Sequence, residues 1–420
     1  MSFAIGLSGL NAASANLKVI GDNIANSDTK GFKQTYLDIQ NVVSNTRGSS
    51  ANGVNGMVSG ADATKKRQDF SQGAITSTTN KLDVAIEGNG FFEVQNPVSK
   101  EVVYTRAGAF KEDSAGHLIT SNGHQLVGYQ ATNGVITSTI AAPLVISYDT
   151  RLATPTTELT LKANFQANAT APSTAEFDPT DSTSYNFKSP YAAYDSLGVK
   201  QNVNLYFVWS AANTWDIYAT TESATQTSTT GTTDTVTELV PQSVGSLTFG
   251  EDGTLADGAG QFEGITIDAL GGVATLDMTG STQQGTELTY QVASTQNGYT
   301  SGALINYSFD QYGNIIGNYT NGEPNVILGQ LAIANFTAPT GLLDLGNNTW
   351  AATAASGDPI VGTAGAGGYG KLLGSALEGS NADQQVLLVS LLAAQRTYQA
   401  NAQVIQVENQ IAQSTLAMVG

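Results

Sequence analysis

Apolar residues recur every seven positions at both ends of this chain, and that spacing limits what lies between them. Phe3, Leu10, Leu17 and Ile24 are each seven apart, with Gly6, Ala13 and Ile20 three residues after the first three. Spacing of this a-and-d kind describes a helix that buries a seam against other helices. Leu7 widens the seam, and Lys18 and Asp22 are the only ionised side chains in the span. The pattern returns at the far end, where Leu391, Tyr398, Ile405, Ala412 and Val419 are seven apart, flanked by Leu388, Ala402 and Leu416. Two such segments at opposite ends of 420 residues predict termini that meet and pair.

One helix of this kind is marginal alone. Burying Phe3, Leu10, Leu17 and Ile24 gives about 1.5–3 kcal/mol each. Fixing the backbone costs about 1–2 kcal/mol per residue before hydrogen bonds return anything. A helix from Ala382 to Met418 would be about 55 Å long at 1.5 Å per residue, more than one small domain covers. Partners from other chains are therefore expected along it, with docking on the chain's own globular part as the alternative. The inter-subunit packing set is then Phe3, Leu7, Leu10, Leu17, Ile20 and Ile24 with Leu388, Leu391, Tyr398, Ile405 and Leu416.

Between the helices the period changes. Short apolar runs at Leu82–Ile86, Phe91–Val94, Val102–Thr105, Leu118–Thr120 and Leu126–Tyr129 alternate with turn residues, as in antiparallel sheet. Further strands are expected at Asn202–Trp209, Thr214–Ala219, Ala303–Phe309, Val326–Phe336 and Thr349–Ala352. Phe249–Gly253 and Asp310–Asn314 read as hairpin turns. Phe32–Val43 reads as a short extension, Ser44–Ala63 as a loop or extended linker, the threonine-rich Thr220–Thr237 as a long surface loop, and Ala364–Gly370 as a glycine hinge. Ser380 and Asp383 suggest a capping box for the last helix. The fold class is thus α+β: terminal helices pairing as a coiled coil, with two mainly antiparallel β domains between them. The expected division is 1–30 with 376–420 (helices), 31–69 with 364–375 (linker), 70–145 with 296–363 (inner β domain) and 146–295 (outer β domain).

Chemistry is hard to find. His117 and His124 are the only histidines and lack metal-ligand company, and cysteine is absent. Glu87-Gly88-Asn89-Gly90 has neither the lysine nor the following helix of a phosphate loop. Asp310–Asn314 lacks the distal ligands of a calcium loop. No catalytic, metal or cofactor residue is assigned, and no enzyme is expected. The net charge of −18 argues against nucleic acid, and no run of eighteen apolar residues offers membrane insertion. Between Gln201 and Gly370 there is no Lys or Arg but fifteen Asp and Glu, a self-repelling surface. Lys65-Lys66-Arg67 is the one basic cluster and reads as a solvated face.

Several motifs carry a resemblance. Ser8-Gly9-Leu10-Asn11-Ala12-Ala13, Val19 to Asn26 and Gly31-Phe32-Lys33 resemble the N-terminal signature of the bacterial flagellar rod and hook proteins. Asp83-Val84-Ala85-Ile86, Gly88-Asn89-Gly90-Phe91-Phe92 and Tyr104 to Phe110 resemble the family's next blocks. Leu377-Glu378-Gly379-Ser380-Asn381 and Ala394 to Asn401 resemble its C-terminal signature. The signature positions are Asn23, Asn26, Gly31, Phe32, Gly88, Gly90, Phe91, Phe92, Arg106, Gly108, Ser380, Asn381 and Arg396. The length and the large central insertion are closer to the hook members than to the shorter rod members.

That resemblance implies a subunit that polymerises helically with itself into a short curved tube joining rod to filament and transmitting torque. It implies no catalytic residue and no cofactor. The partners it implies are the distal rod protein, the hook–filament junction protein, the hook cap and the flagellar type III export apparatus. The implied location is the flagellum, outside the cell after export, with no cleaved signal peptide. A distal rod subunit, a secreted β-rich adhesin or glycan-binding protein, and a glycosidase with two converging carboxylates remain as alternatives at this point.

Overall fold

The computed structural model describes residues 2–45, 57–222, 241–256, 259–266, 272–285 and 289–419. The two heptad segments are its two long helices, α1 (Ser2–Ala25) and α2 (Gln384–Val419). At 1.5 Å per residue they are about 36 and 54 Å long. The first ends in turn chemistry, with Asn26 N–H bonded to the Asp22 carbonyl and the Ser27 hydroxyl donating to that of Ile24. The second begins one residue past the expected box. Asp383 is the cap, its Oδ1 accepting the Gln385 and Val386 N–H groups at 2.8 and 3.3 Å. Ser380 accepts only from Ala382 N–H.

The segment after α1 differs from expectation. Thr35–Asn45 is a strand (β1) and Met57–Gln68 is its antiparallel partner (β2), so the described ends of the Gly/Ser/Asn-rich stretch are paired strand. Lys65, Lys66 and Arg67 lie on β2 opposite Asp38, Leu37 and Tyr36. Residues 46–56 lie outside the described set, as does most of the threonine-rich segment expected to be a loop.

The chain divides into two compact units. The first comprises Met1–Ser147, Asn306–Gly317 and Asn325–Gly420. Its main antiparallel sheet runs Val326–Leu331, Gln125–Thr132, Phe91–Gln95, Val102–Thr105, Thr349–Ala351, Leu343–Gly346. The expected Val326–Phe336 strand is broken at Ala332, and its second piece, Ile333–Asn335, pairs with Phe91 and Phe92. One face carries Phe91, Tyr104, Phe336 and Trp350 with Phe70 against them. Their rings meet edge-on at 4.8–5.8 Å, and such pairs add about 0.5–1.5 kcal/mol each to the area they bury. Two short pairings, Val84–Glu87 with Lys371–Gly374 and Ile75–Ser77 with Ala376–Glu378, lead from the sheet towards α2. The Ala364–Gly370 stretch is a fixed turn rather than a free hinge: Gly370 N–H bonds Asn89 O at 2.7 Å, Gly365 N–H bonds Gly370 O at 3.0 Å, and Ala364 is buried.

The second unit is Tyr148–Ile305 with Asn318–Pro324. It packs a four-stranded antiparallel meander, Phe187–Tyr194, Lys200–Ala211, Thr214–Glu222 and Gln242–Thr248, over a second sheet centred on Glu158–Gln166. That sheet is mixed. Glu158–Gln166 pairs in parallel with Val273–Asp277 and Thr282–Gln284, and antiparallel with Tyr290–Gln296. Leu161, Phe165, Phe207, Trp215, Ile217 and Leu276 lie within one buried cluster between the two layers.

Candidate assembly surface and the joint beneath it

The helices run antiparallel. A Cβ built on Gly6 would lie 3.1 Å from Ile405 and one on Gly9 2.8 Å from Asn401, while Ile20 clusters with Ala382, Leu387 and Ala394 at the other end. Leu17, Ile24, Phe32 and Leu391 pack onto that cluster. Much of the expected inter-subunit set therefore joins the two helices of one chain. Ile20 is buried there, and Leu10, Leu17, Ile24, Leu391 and Ile405 are half-buried. The inward residue at the start of α2 is Leu387; its neighbour Leu388 faces out, as does Leu7, while Tyr398 lies on the inward arc and is still 37% exposed. The side chains of Phe3 and Leu416 lie outside the described set.

Another apolar stripe runs along α2. At about 100° per residue, Leu387, Leu391, Ala394 and Ile405 fall within about 60° of each other and meet α1. Val386, Val389, Val404, Val407 and Ile411 fall within about 60° on the other side of the helix, with Leu392 next to them. These last six are 46–69% exposed. On α1, Ile5 and Leu7 are also exposed. A helix apolar on two faces is built to be covered twice.

Below the helices lies a buried ionic joint. The Lys33 and Glu378 side chains have no exposed surface and Arg106 almost none. Lys33 Nζ donates to Glu378 Oε1 at 2.6 Å and to the Ser71 carbonyl at 2.7 Å. Gly73 N–H adds a 2.9 Å bond to the same carboxylate oxygen. Arg106 reaches Glu378 Oε2 at a longer 3.4 Å and lies over the Phe91 ring at 5.3 Å. Burial pulls the Lys33 ammonium and the Arg106 guanidinium below their ordinary values, and Glu378 pulls both the other way. Two buried cations share one buried anion.

Asparagines complete the joint. Asn381 accepts from Gln34 N–H at 2.7 Å and donates to the Asp69 carbonyl at 2.8 Å. Asn23, on the last turns of α1, makes a two-way bond with the Thr35 backbone, donating at 2.7 Å and accepting at 2.9 Å. Both amides do what a neighbouring strand would do, satisfying backbone groups where helix passes into sheet. The Trp350 indole N–H donates to Gln68 at 2.6 Å and fastens β2 to the sheet.

Comparison with known proteins places this architecture. The flagellar hook protein FlgE of Salmonella typhimurium (strain LT2) is 38% identical over 98% of this chain and 98% of its own length, and that of Escherichia coli K12 matches to the same extent. The chain belongs to the flagellar hook protein family. The hook protein of Treponema pallidum is 28% identical over 98% of both chains. Four domain families match in succession: flagella basal body rod protein over residues 3–33, flagellar hook protein FlgE/F/G D1 domain over 85–168, flagellar basal body protein FlaE D2 domain over 161–299 and flagellar basal body rod FlgEFG protein C-terminal over 373–418. The solved Helicobacter pylori flagellar hook protein FlgE2 covers 71% of this chain and 98% of its own at a TM-score of 0.51 and 13% identity, a likeness of fold. The family is structural rather than enzymatic and puts this chain in the flagellum.

The positions expected as a family signature fall into two groups. Those in or around the joint and sheet are held by packing or backbone need. Gly31 has φ +70°, and a Cβ there would sit 2.6 Å from Ala107 N. Gly90 (φ +129°) leaves no room for a Cβ beside Ile333, nor Gly108 beside the Val84 carbonyl. Gly88 has φ +107°. Phe91 belongs to the aromatic cluster, while Phe92 packs on Phe110 at 5.2 Å. Asn26 donates to Asp22 O and accepts from Thr29. Arg396 is exposed on α2. Lys33 and Glu378 both lie inside sequence motifs, but nothing local to either announces a partner at the other end of the chain.

Proposed function

We propose that this chain is a structural subunit of the flagellar hook that polymerises with itself through its terminal helices. The observation that carries this is the outer stripe of α2. Six large apolar side chains on one long helix, open to water after α1 has been packed, are a surface waiting for neighbours. The inner face pairs α1 and α2 of one chain as an antiparallel coiled coil. The outer stripe, with Leu7, Leu388 and Tyr398, packs between copies. A contact from one patch to a different patch that does not close generates a helical tube. In this reading the helices form the inner wall, residues 31–69 with 364–375 the connection, and 70–145 with 296–363 and then 146–295 the inner and outer β domains. The curved tube joins rod to filament and carries torque. It meets the distal rod protein, the hook–filament junction protein and the hook cap, and its subunits leave the cell through the flagellar type III export apparatus.

The test replaces Val389 and Val407 with Asp together. Both are exposed, so the monomer should melt as the parent does. Sedimentation and negative-stain microscopy of the parent should find curved tubes, and the variant should stay monomeric. Tubes from the variant would remove the stripe from the interface.

A further inference from the structure

We propose that Glu93 enters the folded chain as a neutral, protonated carboxylic acid and so makes the β sheet of the first unit lose stability on the alkaline side. Glu93 lies on the Phe91–Gln95 strand, where Phe91, Phe92, Glu93 and Val94 are all buried. Side chains alternate along a strand, so Glu93 shares the face of Phe91. Its register partner across the sheet is Tyr104. The strand is interior, with Val102–Thr105 on one side and Gln125–Thr132 on the other, so the carboxyl has no sheet edge to turn towards. The residue is 9% exposed, and its Oε2 is sealed from solvent with no hydrogen-bond partner.

The groups around it are phenols. Tyr104 faces it from one neighbouring strand, Tyr129 acts on it from the neighbour on the other side, and Tyr369 acts on Tyr129 from the turn before Lys371. The Ile333–Asn335 strand brings no titratable group. Burial alone raises the Glu93 carboxyl above its ordinary range, with no cation opposing it. The Tyr104 phenol is pushed up to about 12, by burial first and by Glu93 second. A buried carboxylate without a counter-ion neutralises rather than ionises. This sets it apart from Glu378, which is also buried but has two cations.

A carboxyl raised on folding holds its proton in the folded state over a range where the unfolded chain, ionising near pH 4.3, has lost it. Across that range the folded chain binds more protons, so stability falls as pH rises. Below the ordinary carboxylate range the group contributes no slope.

Glu93→Gln keeps the shape and removes the ionisation. Full-length parent and variant are melted from about pH 4 to pH 9 at one salt concentration. Near pH 4 the melting temperatures should coincide, and above it the variant should lead by an increasing margin. Each unit of displaced pKa is tenfold in the folding equilibrium, read as about 3–5 °C in a unit of this size. Parallel curves, or a variant less stable by the same amount at every pH, would overturn the proposal. The parent alone gives a second reading. With glutamate carboxyls carbon-13 labelled, infrared titration should find one carboxyl that stays protonated after the ordinary ones have ionised. Its absence would overturn the proposal whether or not the variant folds.

Discussion

Glu378→Gln tests the joint where its charge balance is most exposed. The parent holds two buried cations against one buried anion, so losing the anion leaves Lys33 and Arg106 facing each other with only the weaker pull of half-buried Asp69 on Lys33 to offset them. Breaking a buried pair in this way costs about 3–5 kcal/mol. At about 2–4 °C per kcal/mol for a unit of this size, the first unit should melt about 6–20 °C lower. Lys33→Met gives the decisive contrast. It removes the closer partner, at 2.6 Å against 3.4 Å, yet leaves one cation with one anion. Its cost is then the lost bonds to Ser71 O and Glu378, about 1–3 kcal/mol. Differential scanning calorimetry of parent and both variants gives the order. If Lys33→Met is as damaging as Glu378→Gln, proximity outweighs charge balance and the reasoning is wrong.

Other outcomes follow from the same geometry. Gly31→Ala forces a side chain into φ +70° against the Ala107 backbone and should lower the first unit's stability by at least about 1–3 kcal/mol, measurable in urea. Gly9→Leu inserts a side chain where Asn401 already stands; far-UV circular dichroism should lose helix while the second unit melts unchanged. Hydrogen bonding first to His117 N–H and then to Ala115 N–H holds the Asp113 carboxyl below its usual range. Its stabilisation is therefore present above the ordinary carboxylate pKa and disappears as pH falls through the folded value. Exchange protection at the His117 amide should drop in acid, and Asp113→Asn should remove that dependence.

The helices were legible because a seven-residue repeat survives any context. Their partners were less so. Heptad spacing identifies a seam but not whose helix covers it, and Ile20 and Leu391 turned out to be covered within the chain. The Met57–Gln68 strand is not legible because its pairing with Thr35–Asn45 is made by backbone groups, and Met-Val-Ser-Gly-Ala-Asp-Ala-Thr-Lys-Lys-Arg-Gln lacks the sustained apolar/polar alternation that announces a strand. Glycine content at Ala364–Gly370 suggested freedom, while a single bond to Asn89 O helps to fix the turn. The Lys33–Glu378 pair and the unpaired Glu93 had no sequence signal at all, since both depend on burial that only the assembled sheet creates.

The joint also orders events in time. Lys33 and Glu378 are 345 positions apart, and Gln34 and Asn381 347, whereas most sheet pairings close over a few tens of residues. Closing the longer loop costs about 0.6 kcal/mol more per doubling of length, and distant contacts form late. A chain that stops anywhere short of Glu378 can still raise its hairpins and bond Asn23 to Thr35, but α1 then lacks both α2 and the ionic joint. The first helix to be made is the last to be secured, so its docking reports that everything between has been completed.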